Sequence, residues 1–278
     1  MPRAVEPALF LAAAAYLALF GLQMIYLPPL ARWAMRGHLS AAASLILVAA
    51  SLAAGIWVTF LAARAPTPPA LSAALMAAFA FAWALLTFAA PVRWLNLHAW
   101  WITPYVAVRE LSLALGAAFL GRAVAPAFKD RNLVAAGALV GAAVDFWGVN
   151  FGTTRAIITH MPALHQRVSV HLPHLGHLTP LVGPGDYVFI GIMFALAHRH
   201  NLNPVKTAWL MWALLFAAMV GVLLAGWSVP AVVPMAIAVI LPNVAEFRFK
   251  RDELFALLYA GALLGALAFG WWFSHRGK

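Results

Sequence analysis

Apolar runs about as long as a bilayer is thick follow one another through almost the whole chain, with only short interruptions. A hydrocarbon core about 30 Å thick takes roughly 20 helical residues to cross. A backbone inside it must satisfy its own hydrogen bonds, which leaves helices as the simplest spanning element. Charged residues, prolines and glycines divide the runs at about 8–27, 41–63, 70–91, 101–121, 133–151, 186–200, 205–227, 229–245 and 253–273. The expected fold is therefore an all-α polytopic membrane protein of about nine transmembrane helices. Composition agrees, since 65% of residues are hydrophobic and 9% charged, a balance no soluble fold needs. The first run follows Arg3 as a signal peptide would, but it is long for one, and Leu27-Pro28-Pro29-Leu30 offers no small-residue cleavage site. It reads as a retained first helix.

The net charge of +10 sits mostly in the connections between runs, where Lys and Arg act as topology signals and lipid-headgroup contacts rather than as a nucleic-acid surface. Alternating sides puts Arg3, Arg64, Arg122, Lys129, Arg131, Arg199, Lys206, Arg248, Lys250 and Arg251 on one face. The other face receives Arg32, Arg36, Arg93, Arg155, Arg167, Arg276 and Lys278. The positive-inside rule then places the N-terminus inside and the long connection from Arg155 to Val182 outside. Trp94, Trp100, Trp101, Trp271 and Trp272 suit an aromatic belt at the headgroups. With no cysteine, disulfides, thiolate catalysis and zinc-thiolate or iron-sulfur sites are excluded. No internal repeat supports an inverted-repeat transporter.

Only eight acidic residues occur. Glu6, Asp130, Glu246, Asp252 and Glu253 lie at span ends, where a carboxylate stays hydrated. Glu110 follows Arg109 inside the fourth span, where a charge costs at least about 2.5 kcal/mol, so an interhelical ion pair or a shallow position is expected. Asp145 and Asp186 remain, each on an apolar run, and they call for a shared explanation. Facing carboxylates hold a single proton between them near neutrality. One can then activate water while the other protonates a carbonyl. Gly183, Pro184 and Gly185 precede Asp186; glycines let backbone approach backbone, and the proline stiffens the turn. An extended substrate strand could dock there, because helical peptide bonds must be unwound before attack.

The residues around the aspartates carry a resemblance. Asp145-Phe146-Trp147 followed by Phe151-Gly152-Thr153 resembles the first catalytic helix of signal peptide peptidases. Gly183-Pro184-Gly185-Asp186 and the ten or so residues after it resemble that family's GxGD helix, and the two aspartates lie 41 residues apart. Pro230-Ala231-Val232-Val233-Pro234 is similar to the Pro-Ala-Leu motif of the presenilin and signal peptide peptidase superfamily. Val144 and Val232 stand where the family has Tyr and Leu, and the aspartates fall on the fifth and sixth predicted spans rather than the sixth and seventh.

The resemblance implies a presenilin-like core over 133–245, preceded by about four spans in 1–132 and followed by a last helix in 246–278. It implies a prokaryotic intramembrane aspartyl protease with Asp145 and Asp186 catalytic. Gly183, Pro184 and Gly185 would present substrate, and Pro230, Ala231 and Val232 would shape the cleft. Substrates would be membrane-protein or signal-peptide helices in the cytoplasmic membrane, cleaved without metal or cofactor. Lipids are expected partners, a homo-oligomer is compatible, and nucleic acid is not expected.

Other readings compete. A channel or proton-coupled transporter would use the same acids as a relay. Prepilin peptidases share GxGD, but Tyr187 and Val188 depart from their pattern. His160, His165, His171, His174 and His177 lack a nearby carboxylate before Asp186 to complete a metal site and suit a pH-responsive or headgroup-contacting loop. Arg167 to Val170 could form a strand beside the substrate. The apolar runs show no Ser-His pair of the rhomboid kind, which disfavours serine catalysis.

Overall fold

A computed structural model describes residues 7–19, 39–89, 102–150, 152–174, 177–225 and 230–251, with single positions at 255, 259, 262 and 266. Helix α1 (Pro7–Leu19) is followed by α2 (Leu39–Arg64), α3 (Pro69–Ala89), α4 (Ile102–Val124) and α5 (Asn132–Asn150). Two short helices, α6 (Thr153–His160) and α7 (Pro162–Val168), lead into β1 (Val170–His174) and β2 (His177–Val182). Then come α8 (Pro184–Arg199), α9 (Pro204–Ala225) and α10 (Val232–Ile240), the last prolonged by a 3-10 turn over Leu241–Glu246. The expected Trp belt, and most of the expected last span, lie outside the described residues. The described positions Phe255, Tyr259, Ala262 and Ala266 of that span are helical.

Among the described residues five helices are long and apolar enough to cross a membrane. Their solvent is legible in which side chains they hide. On α3, Phe81 is 70% exposed and Leu85 and Phe88 also face outward, while Ser72 and Thr87 are buried. Ser51, Thr59 and Thr207 are buried as well. Water would enforce the opposite arrangement; hydrocarbon makes the polar groups seek one another. Accordingly Thr59 donates to the Gly55 carbonyl at 2.9 Å, Thr67 and Ser72 share a hydroxyl bond of 2.7 Å, and Asn243 donates to Thr207 at 3.1 Å. The protein is embedded in a membrane.

The expectation of an all-α chain is corrected in one place. The connection from Arg155 to Val182 contains an antiparallel hairpin in which His171 pairs with Pro180, Leu172 with Thr179 and His174 with His177. Pro173 and Pro180 cannot continue a helix, and each strand of a two-stranded sheet has an outer edge that tolerates a missing donor. The strand suggested for Arg167 to Val170 is displaced, because Arg167 and Val168 end α7 and only Val170 joins β1.

Helix α8 sits at the centre. Ile190, Met193, Phe194, Ala195, Leu196 and Ala197 are all buried, as expected of a helix apolar on every side. Its neighbours contribute Ile56 and Phe60 from α2, Ala118 from α4, Met211 from α9 and Met235 from α10 to the same core. Against α4 the approach is backbone to backbone: a Cβ at Gly191 would strike the Ala117 carbonyl, and one at Gly121 would strike the Gly191 carbonyl. Small residues permit such close packing in membranes. Gly191→Ala should therefore lower stability by about 1–3 kcal/mol, the usual cost of overpacking. Gly137→Ala, whose Cβ would meet only Phe128 at 3.8 Å, should be neutral. Thermal unfolding in detergent compares the two, and equal midpoints would remove the close-approach account.

Candidate active site

Helices α5, α8 and α10 bring the three segments singled out in the sequence to one place. Asp145 lies on α5, five residues before its end at Asn150, and is half-buried. Its Oδ2 accepts a 3.0 Å hydrogen bond from the backbone N–H of Val232, the first residue of α10. That N–H belongs to the set a helix start leaves unpaired, and it carries the positive end of the helix dipole, so a carboxylate is a fitting partner. The Pro230-Ala231-Val232 segment thus touches Asp145 directly. Pro230 begins the turn, and its carbonyl accepts from Val233 at 3.3 Å.

Asp186 is the third residue of α8 and caps its own helix. Gly183 N–H donates to Asp186 Oδ2 at 2.9 Å, and Asp186 N–H returns a bond to the Gly183 carbonyl at 3.2 Å. Pro184 opens the helix, where a missing N–H costs nothing. Gly183 has ordinary extended angles, φ −74° and ψ 153°, so the turn does not require a glycine for its conformation. A Cβ at Gly185 would meet nothing within 4 Å. Among the described residues nothing presses on Gly185, and the room beside it is open.

The two aspartates share one field, for the charge of Asp145 acts on Asp186. Their spacing is set by packing. Phe189, one turn after Asp186, lies against Gly141, one turn before Asp145, so closely that a Cβ at Gly141 would meet Phe189 Cε2 at 2.7 Å. Each carboxylate has one oxygen fixed by a backbone donor, and Oδ1 of each has no hydrogen-bond partner among the described residues. The Gly152 of the Phe-Gly-Thr segment closes α5 by donating to the Trp147 and Gly148 carbonyls at 3.0 and 3.2 Å. That segment is a helix stop, with Phe151 itself outside the described residues.

Beside this centre is a buried cluster the sequence did not reveal. Arg109, 1% exposed, pairs with its own neighbour Glu110, not with another helix as expected. The same guanidinium donates to the Ser169 carbonyl at 3.1 Å and the Arg167 carbonyl at 3.2 Å, and contacts His171 Nδ1 at 2.8 Å. His171 N–H in turn donates to Glu110 at 3.1 Å. A charged pair on α4 therefore holds the approach to β1, and the hairpin runs through Val182 straight into Gly183. Only the adjacency of two opposite charges in an apolar run hinted at this.

Among the other candidates, His165 Nδ1 lies 3.2 Å from Ser169 Oγ. Ser169 is buried, and the pair ties one turn of chain together. Among the described residues no three His, Asp or Glu side chains gather as metal ligands. Asp130 accepts from Asn132 N–H at 2.9 Å, and Glu246 pairs with Arg131 at 2.9 Å in an exposed position, the hydrated end-of-span roles expected of them. No family model, curated protein or solved structure matches the chain.

Proposed function

We infer that the protein is an intramembrane aspartyl protease of the presenilin and signal peptide peptidase type, hydrolysing peptide bonds in or near membrane-spanning or signal-peptide-like helices. One observation carries this reading. Two carboxylates from separate helices share a field, and each is held through one oxygen by a backbone N–H from the GPGD or Pro-Ala-Val segment. Fixing one oxygen and leaving the other available is what a water-activating pair needs. The pair holds one proton. The ionised carboxylate takes a proton from water as that water attacks the scissile carbonyl, and the protonated one donates to the carbonyl oxygen. In the collapse that follows, the roles exchange, and a proton passes to the leaving amine.

A helix shields its peptide bonds, so substrate must reach the pair extended. Two features suit an extended strand: among the described residues β2 has an outer edge unpaired with any strand, and it ends one residue before Gly183. Val182, Tyr187, Leu215, Met219, Ala231 and Met235 line a small apolar pocket nearby that fits a hydrophobic substrate side chain. Gly185→Leu should then lower turnover by about tenfold or more by filling the approach, with little change in thermal stability, since a Cβ there meets no neighbour among the described residues. Wild-type turnover in that variant would remove the docking argument.

The deciding experiment reconstitutes the full chain in liposomes with a single-span peptide labelled at both ends. New peptide termini, identified by mass spectrometry, are the expected result. Proton or solute flux with the peptide intact would replace the protease reading by the relay one.

A further inference from the structure

At the far end of α8 from Asp186, about 20 Å along the helix at 1.5 Å per residue, the chain forms a second concavity. It is a cleft of about 700 Å³ between the ends of α2, α4 and α8 and the start of α9. Arg64, Arg122, Arg199, His198, Thr67 and Asn201 supply its polar lining, and no Asp or Glu among the described residues lines it. Each arginine is in the last turn of its helix, where a cation offsets the negative end of the dipole. Dipole compensation and the positive-inside pattern account for three arginines at this face. They do not account for their convergence on one hollow with no counter-charge among the described residues.

The details favour an anion. Arg122 is immobilised by bonds to Thr67 Oγ1 at 2.9 Å, the Ala63 carbonyl at 3.0 Å and the Thr67 carbonyl at 2.7 Å. Three of its five N–H groups are thereby used, leaving two to offer in a fixed direction. Arg64 and Arg199 make no hydrogen bond or ion pair among the described residues. His198 lies within electrostatic reach of both Arg64 and Arg122, and its buried Nε2 has no hydrogen-bond partner among the described residues. The start of the 22-residue α9, at Pro204 and Val205, brings a positive helix end to the same wall.

Guanidinium groups and a helix N-terminus around a hollow match the tetrahedral oxygens of phosphate better than a lone carboxylate. Basic pockets between membrane helices on the positive face take lipid headgroups by this chemistry. We propose that this cleft binds a phosphate group, carried by an anionic lipid of the arginine-rich leaflet or by a free phosphate anion. The site is separate from Asp145 and Asp186 and stands whether or not they cleave peptides.

The test uses the purified full chain and two probes. Unfolding in neutral detergent is followed with inorganic phosphate against chloride at matched ionic strength, and unfolding in phosphatidylcholine nanodiscs is followed with and without phosphatidic acid. The comparison proteins are Arg64→Gln/Arg199→Gln, which removes the two unpaired cleft cations, and Lys129→Gln, an exposed cation of the same face that does not line the cleft. The wild type and Lys129→Gln should be stabilised alike, and the double variant should bind about tenfold more weakly or worse. Stabilisation by phosphatidic acid alone identifies a lipid headgroup; stabilisation by inorganic phosphate as well shows that the phosphate group suffices. No shift in the wild type, or equal affinity in the double variant, overturns the proposal. Arg122 is left intact because it also closes the turn between α2 and α3.

Discussion

Replacing either aspartate by asparagine is expected to reduce cleavage of a single-span substrate by about 10²–10⁴-fold or more while leaving the fold intact. The amide is the informative change. An asparagine Oδ1 can still accept from Val232 N–H at position 145 or from Gly183 N–H at position 186, so both structural contacts survive. What disappears is the exchangeable proton and the negative charge. Loss of charge at a helix start costs about 0.3–1 kcal/mol, and release from burying a carboxylate offsets part of it. Unfolding midpoints near wild type together with lost turnover would identify the carboxylates as the chemical groups. Wild-type turnover in Asp145→Asn or Asp186→Asn would reduce both residues to helix caps and end the protease proposal.

The largest loss of stability should follow Arg109→Ala. Removing that guanidinium leaves the Glu110 carboxyl, 1% exposed, without its Arg109 partner, and breaking a buried pair in this way costs about 3–5 kcal/mol. It also frees the Ser169 and Arg167 carbonyls that anchor the entry to β1. Turnover should drop with stability, and the two effects can be separated. Arg109→Met with Glu110→Met removes both charges, and apolar replacement of a buried pair is often neutral. That variant should regain most of the lost stability yet cleave slowly, because the hairpin leading to Gly183 stays unanchored. Wild-type cleavage by the double variant would mean that Arg109 holds the fold together but does not position the hairpin.

The helices were legible because hydrocarbon imposes one requirement on every spanning segment. The expected span at 70–91 and the observed α3 at Pro69–Ala89 differ by no more than two residues at either end, and Pro68 and Pro69 explain the sharp start. Asp145 and Asp186 were legible for the same reason, since a carboxylate in an apolar run is conspicuous. The hairpin was not. Its connection is polar, its alternation is weak, and the Leu175-Gly176 dipeptide between two similar His-Leu segments was its only turn signal. For Arg109 and Glu110 the sequence placed opposite charges side by side but did not show which groups would close around them. Successive residues on a helix point in different directions, and an ion pair between neighbours became possible only with β1 beside them.

By itself, then, the sequence determined that this is a membrane-embedded helical protein, where most of its helices begin and end, and which two acids stand out. These are properties of single segments against a uniform solvent, and residue type is enough to read them. Tertiary structure decided everything that depends on two segments meeting. It set Asp145 against the start of α10, closed Gly183 onto Asp186, pressed Phe189 onto Gly141, tied the hairpin to α4 and gathered Arg64, Arg122 and Arg199 around one cleft. The physical reason is that lipid is as apolar as the side chains that face it. It fixes which residues may leave water but exerts little preference over which helices pack together, and that choice rests on close-packed glycines and a few buried polar bonds far apart in the chain.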